Sequence, residues 1–221
     1  MPVAIVTGAS SGIGRAAALL LAKNNYKLSL TGRNVAALNE LAGQIVSAGS
    51  DKNDVLVTAV ELASDEAPKT IVEATVQKFG RIDTLINSAG ILRAGPVLES
   101  GIEVYDELMN VNVRSLVRLT RAALPHIITS KGTVVNVSSI NGPCPPRSHC
   151  DQSSPYTRTS GQDETTYSAF LERSKTTHAL GRPGDANEVA EAIYFLASEK
   201  SSFTTGELLR VDGGRGIMHP R

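Results

Sequence analysis

Five short apolar runs, each followed by a segment of helical period, constrain the fold of this chain more than any other feature. The runs lie at 3–6, 27–30, 55–60, 82–86 and 133–137. Most of them are continuous rather than alternating, as strands covered on both faces require. Helices are expected at 12–23, 34–48 and 64–79, and over 99–128 in one or two pieces. The second shows the pattern clearly, with Val35, Leu38, Leu41 and Ile45 at helical spacing and Asn34 as its N-cap. Pro68 stands near the first turn of the third. Repeated strand–helix–strand units demand right-handed crossovers. The expected fold is therefore α/β, a doubly wound parallel sheet of the Rossmann-like kind. A length of 221 residues suits one domain, 1–221, that buries a large core without a metal or disulfide staple.

Composition narrows the partners. Lys+Arg and Asp+Glu both number 22, so bulk charge argues against a nucleic-acid or anionic-membrane binder. With no Trp, four Phe and five Tyr, a stacking platform for single strands is not expected either. Two cysteines exclude a disulfide scaffold and suit a reducing compartment. The longest wholly apolar run, 16–22, is far too short to span a bilayer, and apolar strand character begins at Val3 with no leader visible. A cytoplasmic protein is the expectation.

The regular alternation breaks down at 143–161, where Pro and Ser are dense and no strand or helix period can be drawn. Cys144, His149 and Cys150 fall there, but no fourth ligand has suitable spacing, so no metal site is expected. Order resumes at Glu164. Asp185 and Glu188 form a capping-box pattern before a helix, and 208–211 reads as a last strand ahead of Asp212-Gly213-Gly214.

Four motifs stand at strand ends. Thr7-Gly8-Ala9-Ser10-Ser11-Gly12-Ile13-Gly14 lies between the first strand and first helix, where glycines let backbone approach a pyrophosphate and the helix N-terminus offers free N–H groups. No Gly-Lys-Ser/Thr follows, so it is not a nucleoside-triphosphatase phosphate loop. Arg33, beside Asn34, occupies the ribose-reading position about 20 residues beyond the glycines. An acid there would favour NAD; an Arg pairs with a 2′-phosphate, so NADP(H) is expected over NAD(H). Asn87-Ser88-Ala89-Gly90 follows the fourth strand and Ser138-Ser139 the fifth, the edge of an open sheet where ligands bind.

In these motifs the chain resembles the short-chain dehydrogenases/reductases, most of all the 3-oxoacyl-acyl-carrier-protein-reductase-like branch. Thr7–Gly14 is similar to that family's TGxxxGxG, and 87–90 to its NNAG with Ser88 in place of the second Asn. Gly181-Arg182-Pro183-Gly184, Thr205-Gly206-Glu207 and 211–214 are similar to its C-terminal signature. The resemblance covers about 3–142 and 164–214. It implies a cofactor set of Thr7, Gly8, Ser10, Ser11, Gly12, Ile13, Gly14, Arg33, Asn34, Glu61, Leu62, Asn87, Ala89 and Gly90. It implies Ser139 as the catalytic serine, with Ser138 as the alternative, and Asn112 as the helix Asn that holds a relay water. The implied activity is oxidoreduction of a small carbonyl or alcohol.

One departure outweighs these matches. The family's catalytic Tyr is followed four residues later by a Lys. Here Tyr26, Tyr105, Tyr156, Tyr167 and Tyr194 are followed at that spacing by Leu30, Met109, Ser160, Leu171 and Ser198. Tyr156 could substitute only from a remodelled loop, with Lys175 or Arg158 as its cation. The segment that should hold a helix and a strand is too short, as a deletion with a shifted frame would leave it. Three roles follow as expectations: an impaired oxidoreductase, a non-catalytic dinucleotide- or partner-binding protein, or an unstable truncated isoform. The last strand should pair with the fifth or leave an open edge. The helical face over 103–128, through which the family forms homo-oligomers, should lose its usual cover.

Overall fold

The computed structural model describes residues 1–93, 98, 100–139 and 164–218. Cys144, His149, Cys150, Tyr156 and Arg158 lie outside them. Five strands form one parallel sheet: β1 (Val3–Thr7), β2 (Lys27–Gly32), β3 (Val55–Ala59), β4 (Thr84–Asn87) and β5 (Thr133–Asn136), in the order β3-β2-β1-β4-β5. Val3 pairs with Lys27, Ala4 with Thr84, Leu28 with Val55 and Thr84 with Thr133. The chain reverses its direction of travel across the sheet between β1 and β4. That switch point opens a crevice at the carboxyl ends of the strands.

Successive strand residues face opposite sides of the sheet, which divides the core in two. Ala4, Val6, Leu28 and Leu30 pack against α1 (Gly12–Lys23), α2 (Val35–Ser47) and α7 (Ala186–Ala197) through Leu21, Leu38, Leu41, Ile45 and Ile193. Ile5 and Leu85 pack the other way, against α3 (Ala67–Phe79) and α5 (Ser115–Ser130) through Ile71, Leu119, Ala123 and Ile127. Each of the Val, Leu and Ile side chains among them contributes about 1.5–3 kcal/mol by leaving water. The remaining helices are α4 (Ile102–Met109) and α6 (Glu164–Thr177).

The helix caps match their sequence signatures. Asn34 Oδ1 accepts from Ala37 N at 3.0 Å. Asp185 and Glu188 close a reciprocal capping box at α7. Arg182 grips the same Glu188, Nη1 to Oε2 at 2.8 Å and Nη2 to Oε1 at 2.6 Å. The Arg182 guanidinium and the Asp185 N–H lower the Glu188 carboxyl from 4.5 to about 2. A depressed acid stabilises the fold above its unfolded value and loses that stabilisation as pH falls through its folded value. The difference in melting temperature between the native chain and Glu188→Gln should therefore be present at pH 6 and shrink from pH 4.5 toward 2. A gap that does not change with pH would disprove the linkage.

Several boundaries differ from expectation. The third helix begins at Ala67 rather than 64, because a turn from Glu61 to Ala67 precedes Pro68 in the first helical turn. The fourth strand begins at Thr84 rather than 82, where the Asp83 carboxylate accepts from Val3 N at 2.8 Å. The long helical stretch takes the two-piece form expected of it, α4 and α5, with a π turn, Asn110–Arg114, between them.

One element is corrected outright. Residues 208–211 form no strand; Leu208 is 79% exposed. A strand is stable only against a neighbour. Among the described residues β5 pairs with β4 alone, so the open-edge alternative is the one observed. A groove of about 1220 Å³, lined by 133–139, α7 and 204–212, separates that edge from the unpaired segment. The face of α4 and α5 is likewise uncovered, with Ile102, Tyr105, Met109, Val113, Val117, Leu124 and Ile128 exposed in helical succession. No described helix is long and apolar enough to cross a membrane.

Candidate active site

The loop from β1 to α1 is built by close approach. Gly8 has φ +67° and Gly12 has φ +54°, both left-handed and both costly for a side chain. A Cβ on Gly8 would lie 2.9 Å from Ala89 Cα, and one on Gly14 would lie 2.5 Å from the Gly8 oxygen. Ala9 N donates to Thr31 O at 3.1 Å, which ties the loop to the end of β2. Ser10 lies beside Gly32, and Ser11 is the N-cap of α1 without a side-chain cap bond. Ile13 packs against the first core. The start of α1 thus keeps N–H groups directed at the loop's concave side. These features fit a pyrophosphate.

Thr7 joins this loop to the one after β4. Its hydroxyl donates to Ile86 O at 3.3 Å and accepts from Ser88 N and Ala89 N, each at 3.0 Å. It is buried, so within this structure its hydroxyl serves as a clamp between the two loops. Asn87 is also buried; its Nδ2 donates to Asn136 Oδ1 at 2.9 Å and Thr120 Oγ1 at 3.2 Å. Sequence reasoning missed both Asn136 and Thr120, although Asn136 ends β5, two positions before Ser138. Gly90 is exposed beyond them.

Asn112 lies in the π turn and faces the same loop. Its Oδ1 accepts from Ile91 N at 2.8 Å and its Nδ2 donates to Ile91 O at 2.9 Å. A π turn places one extra residue in a helix and is common at functional sites. Here it leaves Ser115 Oγ to bond Val111 O at 2.6 Å. Asn112→Ala should cost about 1–3 kcal/mol, since two backbone groups of Ile91 lose their partner. Urea denaturation would measure it, and an unchanged midpoint would refute the pinning role.

Arg33 follows β2, exposed, with Nη1 3.5 Å from Glu61 Oε2 across the end of β3. Leu62 is buried in the second core, which its place beside Glu61 in the sequence did not reveal. Ser139 follows β5 and is half-buried, with Ser138 exposed. The crevice thus brings together 7–14, 33–34, 61, 87–90 and Asn112. None of the three tyrosines whose side chains are described joins it. Tyr26 precedes β2, at the amino edge of the sheet, and its hydroxyl bonds Ala197 O at 3.1 Å. Burial raises its pKa. Tyr105 is exposed on α4, and Tyr194 lies within α7 under Lys200. Lys175 Nζ is paired with Glu172 at 2.6 Å.

Comparison with known proteins agrees with this architecture. The family model described as short chain dehydrogenase matches residues 2–156, and that described as enoyl-(acyl carrier protein) reductase matches 153–215. Both run into the irregular segment, further than the motifs alone suggested. The chain is 29% identical to a 3-oxoacyl-(acyl-carrier-protein) reductase of Thermotoga maritima, covering 96% of each chain. That alignment spans 240 positions, more than the 221 residues present, so it opens gaps in this chain. An uncharacterized oxidoreductase of Staphylococcus saprophyticus is 38% identical over 63% of this chain and 59% of its own length. Among solved structures, an apo glucose dehydrogenase of Caenorhabditis elegans superposes with TM-score 0.78 at 31% identity, covering 98% of each chain. A C. elegans short-chain dehydrogenase/reductase of unknown function, solved with cofactor, gives 0.88 at 25% identity, covering 99% of this chain and 98% of the other. With its fold, its strand-end motifs and a model match over most of its length, the chain belongs to the short-chain dehydrogenase family, oxidoreductases that bind an NAD(P) dinucleotide.

Proposed function

We propose that this chain binds NADP(H) in preference to NAD(H) and is impaired in the carbonyl/alcohol oxidoreduction typical of its family. One observation carries the reading: the crevice at the ends of β1, β2 and β4 is formed, while no tyrosine of the sequence has a Lys four residues on. In this reading the 8–14 loop holds the pyrophosphate. Arg33, with Asn34 behind it, receives the 2′-phosphate; Asn87, Ala89 and Gly90 flank the nicotinamide ribose. When bound, the dinucleotide supplies or accepts a hydride.

Ser139 and Asn112 are the residues left to orient a carbonyl substrate. What they lack is a proton donor. A Tyr hydroxyl has a pKa near 10 and needs a nearby cation to act as a base near neutrality. The tyrosines whose side chains are described are held elsewhere, and Lys175 already has a carboxylate partner. The same gap supports a second reading, a dinucleotide-binding protein without turnover.

Titration of the purified chain with NADPH, followed by cofactor fluorescence with NADH as comparison, tests the proposal. Saturable binding that favours NADPH is expected. No binding to either dinucleotide would overturn it.

A further inference from the structure

We propose that Glu61 is a specificity-determining residue that blunts the chain's discrimination for the 2′-phosphate, an inference that rests on Arg33 as the phosphate reader. Val60 N donates to Gly32 O at 3.0 Å, extending the β2–β3 ladder one step past Ala59. Arg33 and Glu61 are therefore neighbours across the mouth of the crevice. The Arg33 Nη1 to Glu61 Oε2 distance is 3.5 Å, and the two side chains are 64% and 48% exposed.

Glu61 is not a wandering surface acid. Ser64 N donates to its carbonyl at 3.0 Å, and Ala63 N reaches its Oε1 at 3.4 Å. The turn after β3 thus fixes one carboxylate oxygen and leaves the other beside Arg33. On the opposite side Asn34 caps α2 and fixes the backbone next to Arg33.

The consequence is electrostatic. Arg33, the cation at the ribose-reading position, is offset by a carboxylate held at the same mouth. An incoming phosphate dianion must draw the guanidinium from Glu61 and then sit near that negative charge. A nucleotide with a free 2′-hydroxyl meets neither penalty. An exposed ion pair is weak, so Glu61 moderates the preference without abolishing it.

The test uses the full chain and two half-cofactors, adenosine 2′,5′-bisphosphate and AMP, titrated by calorimetry so that turnover plays no part. Glu61→Gln should raise the preference for the bisphosphate, read as the ratio of its affinity to that for AMP, about three- to tenfold, with the gain shrinking in high salt. Glu61→Asp, which keeps the charge, should stay near the native chain. A damaged turn would weaken both ligands together. Equal changes for the two ligands, or a lower preference for the bisphosphate in Glu61→Gln, would overturn the proposal. Arg33→Ala separates the two readings. If it leaves the bisphosphate preference intact, Arg33 is not the reader and this inference falls with it. If it removes the preference while Glu61→Gln changes nothing, only the inference about Glu61 falls.

Discussion

Gly14→Ala is expected to weaken dinucleotide binding severely while most of the sheet stays folded. The added methyl would lie 2.5 Å from the Gly8 oxygen, 2.8 Å from its carbonyl carbon and 3.1 Å from Thr7 O. These are backbone atoms and cannot swing aside. The helix cannot retreat either, because Ala17, Ala18 and Leu21 on α1 are fully buried against the sheet and α7. The loop must yield, and in the proposed reading it is the element that shapes the pyrophosphate cradle. Overpacking of this kind costs about 1–3 kcal/mol of stability. Loss of the cradle should weaken NADPH by about 100-fold or more, or roughly 2.7 kcal/mol. Gly43→Ala is the control. It lies within α2, and a Cβ there meets nothing within 4 Å. It should leave binding unchanged and add about 0.5–1 kcal/mol of stability. Fluorescence titration and thermal melts of both variants decide the matter. Native-like affinity in Gly14→Ala would mean that the dinucleotide does not use this loop.

The second large effect concerns turnover. NADPH-dependent carbonyl reduction by the native chain should fall about 10²- to 10⁴-fold below the usual 1–10³ per second, the share a positioned general acid supplies. Ser139→Ala should lower the remainder further, because a hydroxyl that donates to the carbonyl oxygen stabilises the developing alkoxide whether or not a proton follows. Tyr156→Phe tests whether the irregular segment supplies a donor. Ordinary turnover in the native chain, lost in Ser139→Ala, would sink the impaired reading; loss in Tyr156→Phe would name the donor.

The first half of the fold was legible because its signals are local. Continuous apolar runs marked β1 to β5, and Asn34 and Asp185 announced their helices through side chains that bond their own first turns. The glycine loop and its neighbours at 33–34 and 87–90 could be aligned because a parallel sheet puts all carboxyl strand ends on one edge. What escaped was non-local. Residues 208–211 have strand composition, yet composition does not provide a neighbour to pair with. The clamp at Thr7, the Asn87–Asn136 bond and the Arg33–Glu61 pair join residues 28 to 82 positions apart, and nothing in any single motif points across that distance.

The π turn at Asn110–Arg114 also sets the rotational phase of everything after it. An α-helix turns about 100° per residue, so one extra residue rotates the following helix by that angle. Leu119, Ala123 and Ile127 meet the sheet only because of this offset. Removing one residue from 110–114 would let a straight helix form with better local hydrogen bonding, yet it would turn that buried stripe toward water and carry Val113, Val117 and Leu124 round with it. In this segment the count of residues, more than their identity, fixes which side of the helix is inside.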